Sequence, residues 1–276
     1  MNTLCNLHTH CTFCHGKSTM EEMVLAAIDA GLGILGFSCH NYAGLDFITY
    51  QMKKENVDAY FDEISHMQYK YGDRIRIYKG LEVESRNGWD SPASADPRCD
   101  YSIGSVHYFK IDDAFYSVDS SPEKFMKALE AVGGDITRLW RTYFEEVAGY
   151  ATQSDYDITG HIDLISKFNE KMHLFDESDP HYIDMALQAL DCAIDRNKII
   201  EINCGAIASG WKTVPYPAPF LLKRMKKRNA RTIISSDAHH TSAIVQSYEK
   251  ARRLLSDFGF TERTILTDTG FEQTSL

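Results

Sequence analysis

The chain has no excess of positive charge. Its 276 residues hold 29 Lys and Arg against 39 Asp and Glu, a formal net charge of −10. So acidic a chain repels a phosphate backbone and offers no general footprint for duplex nucleic acid, so a cationic site must come from metals or a few side chains. Residues 1 to 7 contain no basic segment and no long apolar run. No signal peptide or transmembrane helix is therefore expected, and the chain reads as cytoplasmic. Nor is there a disulfide framework. Cys5, Cys11, Cys14, Cys39, Cys99, Cys192 and Cys204 form an odd, scattered set that suits a reducing compartment, most of them as small buried apolar residues. No linker, repeat or low-complexity segment divides the sequence. With 43% hydrophobic and 12% aromatic residues it can bury one large core, and a single domain over residues 1–276 is expected.

What is present is an alternation. Runs rich in Ile, Val and Tyr read as buried strands: NTLCNLH (2–8), GILGFSCH (33–40), IRIYKGLEVES (75–85), YSIGSVHY (101–108), YDITGHIDL (156–164), KIIEINCG (198–205) and RTIISSDAH (231–239). Helical periodicity falls between most of them, over 19–31, 123–132, 136–151, 182–197, 219–229 and 247–259. Strands joined by such crossovers predict a parallel sheet, open or closed. Closure is favoured because almost every predicted strand ends in His, Glu or Asp, and a closed barrel gathers the C-terminal ends of its strands at one face.

The segment LHTHCTFCHG (7–16) holds three histidines and two cysteines in ten residues. His8 and His10, two apart on a strand, can point the same way and chelate one ion. His40, Glu82, His107, His161, Asp237 and His239 fall in or at the ends of later strands, and with His15 they bring seven of the 11 histidines to one mouth. Any one of them reads equally as an ordinary polar side chain. Together with two carboxylates they would be costly to bury unpaired, whereas divalent cations use N and O ligands of this kind. His66, His173, His181 and His240 fall outside the set. A redox reading of Cys11 and Cys14 lacks a helix start that would activate a thiolate, and thiolate ligation by either remains a minor alternative.

HTHCTFCHG, GFSCH, GLEVES, GSVHY, GHIDL and SSDAH, in that order, resemble the motifs of the PHP (polymerase and histidinol phosphatase) superfamily, over residues 7 to about 259. GSVH, GHIDL and the His15–Gly16 pair are most similar to its histidinol-phosphatase branch. The resemblance implies a distorted seven-stranded (β/α)7 TIM-like barrel and a trinuclear site of manganese, iron or zinc. His8, His10, Glu82 and Asp237 would hold one ion; Glu82, as a bridge, with His107 and His161 a second; His15, His40 and His239 a third. It also implies metal-assisted hydrolysis of a phosphate monoester by a hydroxide held between the cations that Glu82 bridges. L-Histidinol phosphate, in histidine biosynthesis, is the expected substrate; another phosphate ester, such as a nucleotide or a small phosphodiester, is the alternative.

The remaining assignments rest on position. Asp163 in GHIDL is a candidate to protonate the leaving alkoxide or to orient His161, with a turn residue as the other reading. Lys167 lies six residues past His161 and is a candidate phosphate contact. Relatives often carry Arg where this chain has Ala208, so Lys212 is expected to reach in instead, or the substrate differs. Of Trp89, Trp140 and Trp211, only Trp211 is placed near substrate. The basic run 223–228 reads as a solvated helix face. A nucleic-acid enzyme is disfavoured by the charge and by single-domain length, and an amidohydrolase-type barrel shares only the HxH start. Oligomeric state is not legible.

Overall fold

A computed structural model describes residues 4–45, 47–85 and 96–276; Trp89 lies outside them. Chain order is β1 (Cys5–Asn6), α1 (Met20–Asp29), β2 (Ile34–Phe37), α2 (Val57–Tyr71), β3 (Arg76–Glu84), β4 (Tyr101–Ser105), β5 (Tyr108–Ile111), β6 (Ala114–Ser117), α3 (Pro122–Ala131), α4 (Ile136–Gln153), β7 (Ile158–Thr159), α5 (Asn169–Met172), α6 (Pro180–Asp195), β8 (Ile199–Asn203), α7 (Gly205–Ala208), α8 (Pro219–Lys227), β9 (Thr232–Ser235), α9 (Tyr248–Asp257), β10 (Glu262–Thr267) and β11 (Gly270–Ser275). Seven strands pair in parallel in the order β1-β2-β3-β4-β7-β8-β9. The ends of the sheet meet just past β1 and β9, where the His10 N–H donates to the Ala238 carbonyl at 2.8 Å and Asn6 Nδ2 donates to Ser236 Oγ at 2.6 Å. The result is the expected (β/α)7 barrel.

Local chemistry sets the helix boundaries. In α1, Thr19 and Glu22 form a reciprocal capping box, Met20, Met23, Val24 and Ala27 are buried at helical spacing, and Gly31 (φ +77°) follows the C-terminus. Ser121, Asp135 and Asp179 cap α3, α4 and α6 by accepting backbone N–H groups, and Pro122 and Pro180 occupy the first turns of α3 and α6. At the floor of the barrel, Tyr101 fills the space left by two glycines. A Cβ at Gly36 or Gly80 would lie 2.3 Å from the Tyr101 ring or its hydroxyl, so both positions need glycine. The antiparallel pair β10–β11 follows the last barrel strand, and its Leu266 joins Cys5, Ile34, Tyr101, Ile158 and Ile233 in one buried cluster.

The structure departs from the sequence reading in strand length, in two hairpins and in α2, which no predicted helical span covers. The first and fifth barrel strands are far shorter than the predicted 2–8 and 156–164, because polar side chains take over the backbone groups. Asn6 Oδ1 accepts from the His8 N–H at 3.2 Å, and Glu201 Oε2 from the His161 N–H at 2.8 Å. Two antiparallel hairpins, β5–β6 and β10–β11, were not anticipated. Among the described residues no helix is long and apolar enough to cross a membrane.

Candidate metal centre

Glu82, on the longest barrel strand, is the hub. Its Oε2 lies 3.2 Å from His8 Nε2, 3.4 Å from His10 Nε2 and 3.1 Å from His40 Nδ1. Its Oε1 lies 3.1 Å from His161 Nε2 and 3.4 Å from His107 Nε2. Asp237, past β9 with φ +51°, places Oδ1 at 3.4 Å from His8 Nε2 and 3.2 Å from His10 Nε2. The His239 ring stacks on His10 at 4.0 Å between centroids and is 4.3 Å from His15, which is 5.0 Å from His40. All nine residues proposed as ligands from the sequence thus converge on one mouth.

The electrostatics are those of a cage. Burial alone would raise the Glu82 carboxyl, but His40, His8 and His107 hold it well below its usual range, and Asp237 is lowered likewise by His8 and His10. Burial works against a charged His8, yet Asp237, Glu201 and Glu82 lift it well above the usual value. Burial drives His239 down to about 3, and His40 well below its usual value, in each case with the charge of His10 adding to it.

This set suits divalent cations. Nε2 of His8, Nε2 of His10 and Nε2 of His239 are buried without a hydrogen-bond partner among the described residues. For His8 and His10 the carboxylate oxygens are close, but the contacts lack hydrogen-bond geometry. A cation between nitrogen and oxygen would satisfy both sides, where protons alone leave nitrogens unpaired. Trios of ligand atoms within 4.8 Å of one another include His8, His10, Glu82; His40, Glu82, His107; and His10, His40, His239.

Two carboxylates missed from the sequence hold the ligands from behind. Glu201 Oε1 accepts from His8 Nδ1 at 2.5 Å, and Glu201 also receives Asn203 Nδ2 at 2.9 Å and the Ser235 hydroxyl. Glu84 accepts from His107 Nδ1 at 2.9 Å and from Tyr50 Oη at 2.7 Å. Both were legible in principle. Glu84 shares a strand face with Glu82, and Glu201 interrupts an apolar strand where an unpaired charge would be prohibitive. Glu201→Gln is expected to weaken metal affinity by about 10- to 100-fold, read by competition with a chromophoric chelator.

The mouth opens into a cavity of about 570 Å³, lined among others by Lys17, Tyr50, Asp119, Lys167, Ala208 and Tyr216. Lys167 Nζ is 3.4 Å from Asp119 Oδ2, in a carboxylate kept low, against burial, by Lys167 and His107. Asp119 was not foreseen; it lies just past the unpredicted β5–β6 hairpin. Ala208 does line the cavity and contributes no charge. Lys212 does not line it, contrary to expectation, because its ammonium is turned into the protein, donating to Ser166 Oγ at 3.1 Å and lying over the Tyr216 ring. Trp211 likewise lies outside the cavity lining, packing edge-on against Phe168. Asp163 is fully buried and outside the cavity lining; Oδ2 accepts from the Ala218 N–H at 2.8 Å, and burial raises the carboxyl to about 6 against the pull of Lys212. It does not bond the His161 ring, and the His161 backbone is held by Glu201 instead. In the basic run, Arg224 and Arg228 pair with Asp191, as a solvated helix face would.

Known proteins resemble this chain in sequence and in fold. The family model described as PHP domain matches residues 6–205. A protein named "Probable histidinol-phosphatase" from Deinococcus radiodurans is 31% identical over 94% of this chain and 95% of its own length. One of the same name from Schizosaccharomyces pombe is 28% identical over 92% of this chain and 86% of its own. A crystal structure of histidinol phosphate phosphatase from Lactococcus lactis, complexed with zinc, L-histidinol and phosphate, superposes with a TM-score of 0.72 at 21% identity, covering 98% of this chain and 99% of that one.

Proposed function

The chain belongs to the PHP domain family, and from that premise we propose that it is a metal-dependent phosphomonoesterase whose substrate is L-histidinol phosphate. The observation that carries the reading is Glu82 with one carboxylate oxygen turned to His107 and His161 and the other to His8, His10 and His40. A carboxylate so placed is a natural bridge. The proposed division is His8, His10, Glu82 and Asp237; Glu82, His107 and His161; and His15, His40 and His239, holding three manganese, iron or zinc ions. The PHP domain is proposed to extend over the whole chain, since Asp237, His239 and β9, the last barrel strand, lie beyond the matched segment.

Divalent ions bound here supply Lewis-acid activation of water and neutralise phosphoryl oxygens. The protein's share is placement. Glu201 and Glu84 fix the rings of His8 and His107, so the ligand nitrogens need little reorganisation when substrate arrives. Lys167 is positioned to meet the phosphate, in place of the arginine absent at Ala208, and Asp119 to meet the substrate ammonium. The pair offers opposite charges 3.4 Å apart to a substrate that carries both.

A charge-assisted contact is worth about 1.5 to 3 kcal/mol. Lys167→Met is therefore expected to lower kcat/KM on histidinol phosphate by roughly 10- to 150-fold. Asp119→Asn should cost a similar factor on that ester and far less on a phosphate ester lacking the amine. Lys212→Met should be mild. Phosphate release from histidinol phosphate and from a nucleoside monophosphate set tests the assignment. A nucleotide preferred by more than about tenfold, or a silent Lys167→Met, removes histidinol phosphate as the substrate and leaves a phosphoesterase of another specificity.

A further inference from the structure

His10 uses only one of its nitrogens at the cluster. Nε2 faces Glu82 and Asp237, while Nδ1, on the other side of the ring, is 3.5 Å from Cys14 Sγ. The corresponding nitrogens of His8, His107 and His239 meet oxygen: Glu201, Glu84 and the Asp237 carbonyl. His10 alone among these four meets sulfur, and more than one sulfur. His10 Nδ1, Cys14 Sγ and Cys39 Sγ all lie within 4.8 Å of one another, and Cys11 Sγ is 3.5 Å from Cys39 Sγ. All three cysteines are free thiols; Cys11 and Cys39 are fully buried and Cys14 is half-buried.

We propose that His10 Nδ1, Cys14 and Cys39 form a separate site for a thiophilic divalent ion such as zinc, with Cys11 holding Cys39 from behind. With metal–sulfur bonds of about 2.3 Å and metal–nitrogen bonds of about 2.0 Å, a tetrahedral centre sets its ligand atoms roughly 3.5 to 3.8 Å apart. The contact between His10 Nδ1 and Cys14 Sγ already sits at that spacing. Cys14 is carried on a tight turn that starts at Cys11. The N–H groups of Cys14 and Gly16 both donate to the Cys11 carbonyl at 3.1 Å, and a Cβ at Gly16 would lie 2.6 Å from the Cys11 nitrogen. The Cys11 N–H points at Cys39 Sγ, 3.4 Å away, a donor that would stabilise a metal-bound thiolate. Thiolates select zinc over manganese, so this site differs in preference from the N- and O-rich cluster in front of His10.

Binding transfers no electrons. The ion forms bonds to two sulfurs and one nitrogen, and the two thiol protons and the His10 Nδ1 proton leave to solvent, which makes the imidazole a bridge between this ion and the cluster. The thiols thereby join the protein's metal chemistry without taking part in hydrolysis.

The test is cobalt substitution of the full-length protein, with metal content measured alongside. Cobalt bound to thiolate absorbs strongly in the near ultraviolet, whereas cobalt bound only to imidazole and carboxylate does not. The cobalt protein should show that band; Cys14→Ser and Cys39→Ala should each lose it, while His107→Ala, which alters the histidine cluster on the side of Glu84, should retain it. Zinc-loaded protein should hold about one equivalent more than manganese-loaded protein, and the cysteine variants should lose that equivalent. Cys14→Ser, at a half-buried position, keeps the test sound should Cys39→Ala fail to fold. A cobalt-saturated protein without the band, or a zinc content unchanged by Cys14→Ser, overturns the proposal. These readouts are independent of which ester is hydrolysed.

Discussion

Glu82→Gln is expected to lower kcat/KM by about 100-fold or more, with the barrel intact. Glutamine keeps the volume but replaces one carboxylate oxygen with an N–H donor. In a site where the two oxygens face five imidazole nitrogens at 3.1 to 3.4 Å, one half of the amide must then confront donors or cations it cannot satisfy. Ligand geometry is lost on both sides of the bridge at once. His10→Ala and Asp237→Ala remove ligands on one side and should approach the same loss. Circular dichroism should report an unchanged fold, because the apolar core surrounds this site and does not run through it. A Glu82→Gln protein that retains near-normal kcat/KM would mean that the carboxylate is structural.

Stripping the metals should cost both activity and stability. Each ion binds the folded cage and not the unfolded chain, so at a free concentration of about 100 times Kd it contributes about 2.7 kcal/mol. For a chain of this size one kcal/mol moves Tm by roughly 2 to 4 °C, so even one occupied site is worth about 5 to 10 °C. Chelator-treated protein should therefore melt at least that much lower, and hydrolyse histidinol phosphate about 1000-fold more slowly or worse, since no other group at the mouth can activate water comparably. Added manganese should restore both. Coincident melting curves with and without metal would place the ions outside the folded cage.

The barrel was legible because buried parallel strands read as runs of Ile, Val and Tyr, and the six further strands and the histidines at their ends kept one order. Strand length was less legible. The peptide N–H groups of His8 and His161 leave the sheet for side-chain oxygens of Asn6 and Glu201. The two hairpins were missed because their strands, FEQT and AFYS among them, alternate or expose residues and look like ordinary surface loops. At the site, the convergence of the candidate ligands could be read from type and spacing, but side-chain direction could not. Lys167 and Lys212 both lie near the mouth in sequence, and only contacts with Asp119 and Ser166 decide that one faces the cavity and the other turns inward. Asp163 shows the same limit: its place beside His161 suggested chemistry, and the structure spends its carboxylate on the Ala218 peptide.

The most direct test is a manganese titration of metal-stripped protein, following phosphate release from L-histidinol phosphate against metal bound per chain. A cage built on Glu82 predicts no measurable turnover without metal and a rise that saturates at about three equivalents. Turnover by the stripped protein, or a plateau reached at about one equivalent, would contradict it.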